Sequence, residues 1–559
     1  MGSDRAESLC EVARESQARP TTDESILAGK SVGAVCEVRG PFATATIDTQ
    51  IAASVQIGEL VLMSGFSVVL VGAITYLQRT DRTIAEIKLV ASLDSSTGVL
   101  NPGVHEAPTI GAPLYRCSTE IVRAVYEDRR SFRENKTDEI TLQLACTDRY
   151  RDINLAFAPE RIIGRHLAVV GSSGGGKSCS VARLIEQCSI HNSKVVLLDL
   201  TGEYQSLGGG TFHTHVGASQ SSGTSLASAV PFNELTESDL ISILAPDSPI
   251  QLSKLRAAIK TLKLIYLEPR LGVGGNFSKA HKDKRLYQQA LADFQREIET
   301  SANHFDISHL ALQIEFECVD THRSQTETHV WGGVNTTELA ACTGLINRVQ
   351  EIVNGGDLAS IFQTSKNPSL LATLKTFLAD RSFSVLRVSL EYLPAVHNVR
   401  EIIANAIGRK LLALGRARRL ADRPVLLVVD EAHQVLRPTA SMFSRDFPVD
   451  AYNIIAKEGR KYGLSLCVAT QRPGDIPEDV LSQMGTFIVH RLVGEGDRSI
   501  IERVTGACDK QLLEDLPSLG PGEAFIVGID FSRPLRVRVM PPEKLPLSQG
   551  PLYQKLWRR

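Results

Sequence analysis

One glycine-rich segment, Gly171–Ser178, constrains this chain more than any other feature, because it matches the pattern G-x-x-x-x-G-K-[ST]. Its residues are Gly171, Ser172, Ser173, Gly174, Gly175, Gly176, Lys177 and Ser178. An apolar run, Leu167–Val170, precedes it and a helix-like run, Ser180–Ile190, follows it. A strand, a glycine-rich loop and a helix in this order form a loop whose backbone N–H groups surround a phosphate. A glycine-rich turn with a chance Lys-Ser pair is the alternative, and the flanking strand and helix argue against it.

The side chains of this segment predict the ligand. Lys177 is expected to reach the β- and γ-phosphates of a nucleotide, and Ser178 is expected to ligate Mg²⁺. The neighbouring Cys179 is included in the expected nucleotide-binding set. The positive end of the following helix dipole also favours an anion. ATP and Mg²⁺ are therefore the expected cofactors.

A second motif supports this prediction. The apolar run Val425–Val429 ends in two adjacent carboxylates, Asp430 and Glu431. Beside a phosphate-binding loop, Asp430 is expected to hold the water shell of Mg²⁺ and Glu431 to polarise the attacking water. An acidic residue that caps the next helix is the alternative interpretation of such a pair.

Two further strand ends carry polar residues. Asp199 follows the strand after the phosphate-binding helix, so Asp199 or Glu203 is expected near the Mg²⁺ or the water, with a simple capped turn as the alternative. Gln471 follows the run Leu464–Ala469 and is a candidate sensor of the γ-phosphate. In the charged segment just upstream, Arg460 is a candidate for insertion into a neighbouring subunit's site, and an exposed helix end is the alternative.

Composition limits the remaining possibilities. The chain has 559 residues, of which 43% are hydrophobic and 22% charged, as in soluble globular proteins of several domains. The 61 basic and 63 acidic residues give a net charge of −2, so a polyanion site would have to be a local patch. The ten cysteines form no CxxC pair, which indicates reduced thiols. No signal peptide or membrane-spanning run is recognisable, so the expected location is the cytoplasm, with no membrane partner.

Pattern changes along the chain predict its organisation. Short Val-, Ile- and Thr-rich runs near the N-terminus indicate a small barrel, and continuous apolar runs alternating with helices indicate a parallel sheet covered on both faces. The predicted parts are a flexible tail (1–25), a β-barrel (26–126), a linker (127–162), an α/β ATPase core (163–204 and 381–540), a helical insertion (205–380) and a C-terminal arm (541–559).

The order of these motifs resembles the HerA-type ATPases of the HerA–FtsK branch of RecA-like P-loop motors. The strings that carry the resemblance are Gly164–Ser178, Asp199-x-x-Gly202-Glu203-Tyr204, Asp430-Glu431-Ala432-His433, Glu458–Gly463 and Ala469–Pro473. Gly33–Gly40 and Ile57–Val61 resemble the small barrel that precedes the motor in this family. The resemblance spans about residues 31 to 540 and implies a RecA-like core.

The resemblance also implies an assembly and a set of roles. It implies a homo-hexameric ring with double-stranded DNA in its central channel and nucleotide between subunits. The implied roles are nucleotide proximity for Arg165, phosphate and Mg²⁺ binding for Lys177 and Ser178, the catalytic neighbourhood for Asp199, water activation for Glu431, sensing for Gln471, and a trans-acting finger at Arg460, with Lys457 and Lys461 as alternatives.

HerA-like proteins commonly act with a separate protein, so the resemblance implies a partner. The partner is expected to be a Sir2-like or nuclease effector that docks on the barrel face, in bacterial anti-phage defence, since the cysteines and the moderate charge do not suggest a thermophile. Two alternatives stay open: a ring scaffold that activates such an effector under the control of ATP hydrolysis, and a DNA-end-resection motor with a NurA-like nuclease.

Overall fold

The structure is a computed structural model, and it describes residues 30–80, 82–94, 97–127, 139–147, 150, 152–191, 193–217, 225–299, 305–362, 367–394, 396–436, 450–506, 510–548 and 553–558. The predicted tail (1–25) and residues 128–136 of the predicted linker lie outside these ranges. The chain forms two compact units. The first contains Met1–Pro159 and Glu523–Met540, and the second contains Glu160–Gly522 and Pro541–Arg559.

Nineteen strands occur within the described residues. They are β1 (Gly33–Arg39), β2 (Phe42–Ile47), β3 (Leu60–Ser64), β4 (Val69–Arg79), β5 (Thr83–Leu93), β6 (Leu100–Pro102), β7 (Pro113–Arg116), β8 (Leu142–Thr147), β9 (Asn154–Phe157), β10 (Leu167–Val170), β11 (Lys194–Asp199), β12 (Thr211–Val216), β13 (Leu226–Ser228), β14 (Val385–Ser389), β15 (Val425–Val429), β16 (Leu464–Thr470), β17 (Thr486–Val489), β18 (Glu523–Gly528) and β19 (Leu535–Val539).

The same residues form seventeen α-helices. They are α1 (Thr119–Glu127), α2 (Pro159–Ile162), α3 (Lys177–Ile190), α4 (Glu237–Leu244), α5 (Pro249–Leu267), α6 (Lys284–Asp293), α7 (Gln295–Glu299), α8 (Leu310–Glu317), α9 (Thr336–Asn354), α10 (Gly356–Phe362), α11 (Leu370–Ala379), α12 (Val399–Arg416), α13 (Ala451–Glu458), α14 (Glu478–Leu481), α15 (Glu495–Thr505), α16 (Lys510–Asp515) and α17 (Tyr553–Leu556). None of these helices has both the length and the apolar composition needed to cross a bilayer.

The first unit contains a closed antiparallel barrel, as the sequence predicted. Its six strands follow the order β2-β1-β7-β3-β4-β5, and β5 pairs back with β2. Alternate residues point inward, and Val35, Ala45, Leu70, Ile87 and Leu114 form part of the buried core. Closure pairs the edge strands, which would otherwise expose unpaired backbone groups.

Four further strands of the first unit pair antiparallel in the order β18-β19-β8-β9. Strands β8 and β9 lie in the range that the sequence analysis predicted as a linker, so they differ from the prediction. The alternation of buried Leu142 and Leu144 with exposed Gln143 is typical of a half-buried strand, and the charged stretch before it concealed this pattern.

The second unit contains a parallel sheet with the strand order β13-β12-β14-β11-β15-β16-β10-β17. Every residue of β10, β11, β15 and β17 is buried, as expected for strands covered on both faces. Strand β16 separates β10, which precedes the glycine-rich loop, from β15, which precedes Asp430. All these strands end at one edge, so the loops that follow them can share a ligand.

The predicted insertion is helical for most of its length, from α4 to α11. Residues 211–216 and 226–228 of that range differ, because they form β12 and β13 and extend the parallel sheet beyond β14. The β-branched and aromatic residues of β12 (Thr211, Phe212, Thr214 and Val216) suit a strand.

Candidate functional site

The glycine-rich loop leaves the carboxyl end of β10 and leads into α3, whose first residue is Lys177. Gly174 and Gly176 have φ values of 74° and 114°, which side chains with a Cβ rarely adopt. A Cβ at Gly171 would lie 2.6 Å from the Cβ of His490, so the loop approaches the end of β17 closely. The Ser172 N–H donates to the Arg491 carbonyl at 2.8 Å, which fixes the loop there.

Lys177 lies between the two carboxylates that follow β15. Its Nζ is 3.0 Å from Asp430 Oδ1 and 2.8 Å from Glu431 Oε1, and all three side chains are buried. Burial lowers the pKa of Lys177, but attraction to the two carboxylates outweighs it and the pKa is raised. Lys177 therefore stays charged, and the structure brings it together with two adjacent carboxylates that lie 253 and 254 residues later in the sequence.

The two carboxylates differ electrostatically. Burial raises the pKa of Asp430 to about 6, against the opposing effect of Lys177. Burial raises the pKa of Glu431 as well. The charge of Lys177 and a hydrogen bond from Gln471 lower that pKa by more than burial raises it, so the net shift is downward. Glu431 therefore stays ionised near neutral pH, as a group that accepts a proton from water must be.

Two neighbours besides Lys177 hold the Glu431 side chain in position. Gln471 Nε2 donates to Glu431 Oε1 at 2.7 Å, so the predicted sensor contacts the predicted general base directly. His433 Nδ1 lies 3.3 Å from Glu431 Oε2 and 3.2 Å from Thr470 Oγ1. The backbone of Glu431 has a φ of 45°, which is uncommon for a residue other than glycine and is maintained by these surroundings.

The contacts of Asp199 differ from the predicted ones, which were to Mg²⁺ or the attacking water. Its Oδ1 accepts from the Gly202 N–H at 2.8 Å, and its Oδ2 accepts from the Tyr204 N–H at 3.1 Å and from Arg387 Nε at 2.7 Å. Both oxygens therefore hold the loop after β11 and neutralise a buried arginine of β14. This geometry matches the alternative interpretation of Asp199 as a turn residue.

The predicted arginines lie at the opposite edge of the sheet. Arg165 precedes β10 and its carbonyl accepts from the Gly485 N–H at 2.7 Å. Arg460 is exposed in the turn Gly459–Tyr462, which precedes β16. Because β10 and β16 are parallel, both arginines lie at the amino edge and the glycine-rich loop at the carboxyl edge. The prediction that Arg165 lies near the nucleotide is not met within one copy of the chain.

The alternative finger residues also lie at the amino edge. Lys457 is 2.7 Å from Asp479 in an exposed ion pair, whereas Lys461 is exposed in the same turn as Arg460. For Arg460 and Lys461, the structure gives no ion pair with any described residue.

His166, which sequence reasoning missed, connects the segments of this edge. It is buried, has a φ of 65°, and accepts from the Leu466 N–H through Nδ1 at 2.9 Å. Burial lowers the pKa of His166 to about 4, and the charge of Arg460 contributes to the shift. His166 is therefore neutral at physiological pH and lies beside the turn that carries Arg460.

Three other contributors were also missed. Arg387 of β14 forms an ion pair with Asp199 of the neighbouring strand β11. His490 Nε2 is hydrogen-bonded to Ser180 Oγ of α3 at 2.7 Å, and His433 lies beside Glu431. His433 was visible as the last residue of the quoted Asp-Glu-Ala-His string. Arg387 and His490 had no such signal, because a buried polar residue in or after an apolar strand depends on partners distant in the sequence.

The residues present fit a magnesium ion. Asp430 Oδ2 and Glu203 Oε2 are buried without a hydrogen-bond partner in the described part of the chain, and Ser178 follows Lys177 in the first turn of α3. Among the described residues, no group of three or more His, Cys, Asp or Glu side chains is placed to hold a metal. A nucleotide-bound Mg²⁺ needs only one or two protein carboxylates, because phosphates and waters complete its shell.

The second unit is therefore a P-loop nucleotide-binding core with the RecA-like arrangement, in which one strand separates the phosphate-loop strand from the acidic strand. The family model described as the central domain of helicase HerA matches residues 147–325. The chain is 23% identical over 486 residues to a probable DNA double-strand break repair helicase HerA of Methanocaldococcus jannaschii, which covers 82% of this chain and 85% of that protein.

A second relative, the DNA double-strand break repair helicase HerA of Pyrococcus furiosus, is 40% identical over 119 residues, or 21% of this chain and 20% of that protein. The chain thus matches the HerA central-domain model over part of its length and is similar to HerA helicases along most of it, which confirms the resemblance that its motifs indicated.

Solved structures show weaker likeness. A bacterial conjugative coupling protein, TrwB, matches 77% of this chain and 92% of its own at 12% identity and a TM-score of 0.43. VirB4 of Thermoanaerobacter pseudethanolicus matches 75% and 99% at 16% identity and a TM-score of 0.42.

Proposed function

We propose that this chain is a Mg²⁺-dependent ATPase that forms a homo-hexameric ring and translocates double-stranded DNA through the central channel. The observation that carries the proposal is the position of Lys177 between Asp430 and Glu431 beside the glycine-rich loop. The HerA central domain and the HerA relatives support the same activity.

Hydrolysis follows from these positions. The phosphates of ATP enter the loop, and Lys177 exchanges its carboxylate partners for β- and γ-phosphate oxygens, which releases Glu431 from the ion pair. Glu431, oriented by Gln471, accepts a proton from water as the water oxygen attacks the γ-phosphorus and the bond to the β-phosphate oxygen breaks. When bound, Mg²⁺ is held by Ser178 and Asp430 and neutralises charge on the phosphates.

The arginines act in trans in this proposal. Head-to-tail packing in a ring brings two different surfaces of neighbouring copies together. Arg460 of one copy then stabilises the charge that develops on the γ-phosphate of the next, and Arg165, at the same edge, is the second candidate. Exposure of Arg460 and its lack of an ion pair among the described residues support this role.

The barrel offers a surface for a separate effector, either Sir2-like or a nuclease, in anti-phage defence. Phe66 is 97% exposed and Ile110 is 70% exposed. Glu106 accepts from the Phe66 and Ser67 N–H groups at 3.1 and 3.0 Å, so the turn that presents Phe66 is held rigidly. A preorganised aromatic residue suits an apolar pocket on a partner. This observation supports effector docking on the barrel, which the second candidate function, a ring that activates its effector, requires.

The deciding experiment measures the ATPase rate with and without linear double-stranded DNA, on protein sized by light scattering. The controls are Glu431→Ala, which removes the proposed general base, and Glu502→Ala, an exposed glutamate of α15. A hexamer whose Glu431-dependent rate rises with DNA supports the translocase. A hexamer with a DNA-independent rate favours the effector scaffold. Full activity in Glu431→Ala contradicts the site.

A further inference from the structure

The last residue of β11, Asp199, and a residue of the loop that follows it, Glu203, are carboxylates with different surroundings. Asp199 is fully buried and each of its oxygens is occupied by backbone N–H groups or Arg387. Glu203, four residues later, has a buried Oε2 that accepts no hydrogen bond from any described residue. Burying a carboxylate oxygen without a donor costs free energy of folding. We therefore expect this oxygen to contact a ligand when the site is occupied.

Glu203 lies in a loop that starts at the same sheet edge as the nucleotide site. This loop follows β11, which pairs in parallel with β15, and the Asp430 N–H donates to the Leu198 carbonyl at 3.1 Å. The backbone at Glu203 is held in place, because the Glu203 carbonyl accepts from the Leu547 N–H at 2.7 Å and the next N–H, of Tyr204, donates to Asp199.

The charges of the site show what kind of ligand is needed. Lys177 is the only cation within hydrogen-bond distance of Asp430 and Glu431 among the described residues, and Glu203 is not one of its partners. Once Lys177 binds phosphate, Asp430 Oδ2 and Glu203 Oε2 remain as two buried carboxylate oxygens at this sheet edge with no donor among the described residues. A hydrated divalent cation is the ligand that suits two such oxygens, because its inner waters donate hydrogen bonds to carboxylates.

We infer that Glu203 is a positioning residue for the metal–nucleotide complex and accepts hydrogen bonds from the water ligands of the divalent ion whose inner shell includes Asp430. The inference rests on the proposed ATPase function. The role near the metal that was expected of Asp199 is thereby assigned to Glu203. Of these two carboxylates, only Glu203 has an oxygen that accepts no hydrogen bond from a described residue.

The test uses Mn²⁺ as the metal probe and ADP as the nucleotide, with the full-length protein. The affinity for Mn²⁺ in the presence of ADP is measured by electron paramagnetic resonance, and the affinity for ADP alone is measured in EDTA. Glu203→Gln is expected to weaken Mn²⁺ binding about tenfold or more, as for other outer-shell partners, and to leave ADP binding in EDTA within about twofold. The matched control is Glu391→Gln, whose carboxylate contacts the same loop through Gln205 at 3.4 Å and is expected to change neither value.

Unchanged Mn²⁺ affinity in Glu203→Gln overturns the inference and leaves the ATPase proposal intact. Failure of the wild-type protein to bind Mn²⁺ and ADP together overturns the proposed function itself. Glu203→Asp keeps the charge and is expected to bind Mn²⁺ more tightly than Glu203→Gln. Equal weakening in both variants, with lowered unfolding temperatures, would indicate a loop-packing role and would also overturn the inference.

Discussion

The two edges of the parallel sheet in the second unit have opposite chemistry. The carboxyl edge carries the glycine-rich loop with Asp430 and Glu431, both buried and paired with one lysine. The amino edge carries the exposed Arg460 and Lys461, with the neutral His166 beneath them. One edge has acids that can activate water and bind metal, and the other has cations that reach solvent. Under the proposed function, a single copy holds the parts of a phosphoryl-transfer site on two edges of the sheet, and a neighbouring copy brings them together.

The largest effect is expected at the carboxyl edge from Lys177→Ala. The substitution removes the cation that binds phosphate and leaves two buried carboxylates unpaired, so nucleotide binding and turnover should both fall below detection. A fluorescent ATP analogue measures binding and phosphate release measures turnover. The control is Lys260→Ala, an exposed lysine of α5 to which no role is assigned. Full ATPase activity in Lys177→Ala would disprove the assigned site.

Glu431→Gln should separate binding from chemistry at the same edge. The amide keeps the shape of the side chain but cannot accept the proton of water, so turnover should fall by about a thousandfold while ATP stays bound. Equilibrium binding of ATP and single-turnover hydrolysis measure the two quantities. Retained turnover would show that another group activates the water. The assignment of water activation to the carboxyl edge would then be wrong.

Arg460→Ala tests whether the edges meet between copies. Loss of one charged donor to the γ-phosphate should lower the turnover of the assembled protein by about a hundredfold, with nucleotide binding by protomers unchanged. Mixing Arg460→Ala with Lys177→Ala should restore part of the activity, because some interfaces then pair an intact loop with an intact arginine. Loss of ATP binding by isolated Arg460→Ala protomers would refute the trans role. Arg165→Ala, tested in the same mixture, decides whether Arg165 takes part.

The carboxyl edge could be predicted from the sequence and the amino edge could not. Apolar runs identified β10, β11, β15 and β16, and parallel strands place their following residues at one edge, so the meeting of Lys177, Asp430, Glu431 and Gln471 followed from pattern alone. The partner of Asp199 lies 188 residues away in β14, and no local pattern indicates it. Arg165 precedes the same strand that the glycine-rich loop follows. Its short sequence distance from Lys177 therefore concealed its position at the opposite edge.

The smallest effect concerns the stability of the amino edge. His166 has a folded pKa of about 4 against 6.5 for the free side chain, because it is buried and its Nδ1 must accept the Leu466 N–H. The unfolded chain thus binds the proton more readily, and the stabilising contribution is complete above about pH 6.5 and declines as the pH falls toward 4.

This linkage predicts a loss of about 2 kcal/mol in the free energy of unfolding of the second unit between pH 7.5 and pH 5 from His166 alone. Urea denaturation at the two pH values measures it. In His166→Asn the side chain no longer titrates, so the pH-dependent part of the loss should shrink by that amount even if the protein is less stable at both pH values. His329→Asn, which removes an exposed histidine of the second unit, is the matched control. An equal pH dependence in wild type and His166→Asn would mean that His166 is accessible to protons in the folded state, and the amino edge would then be looser than its hydrogen bonds indicate.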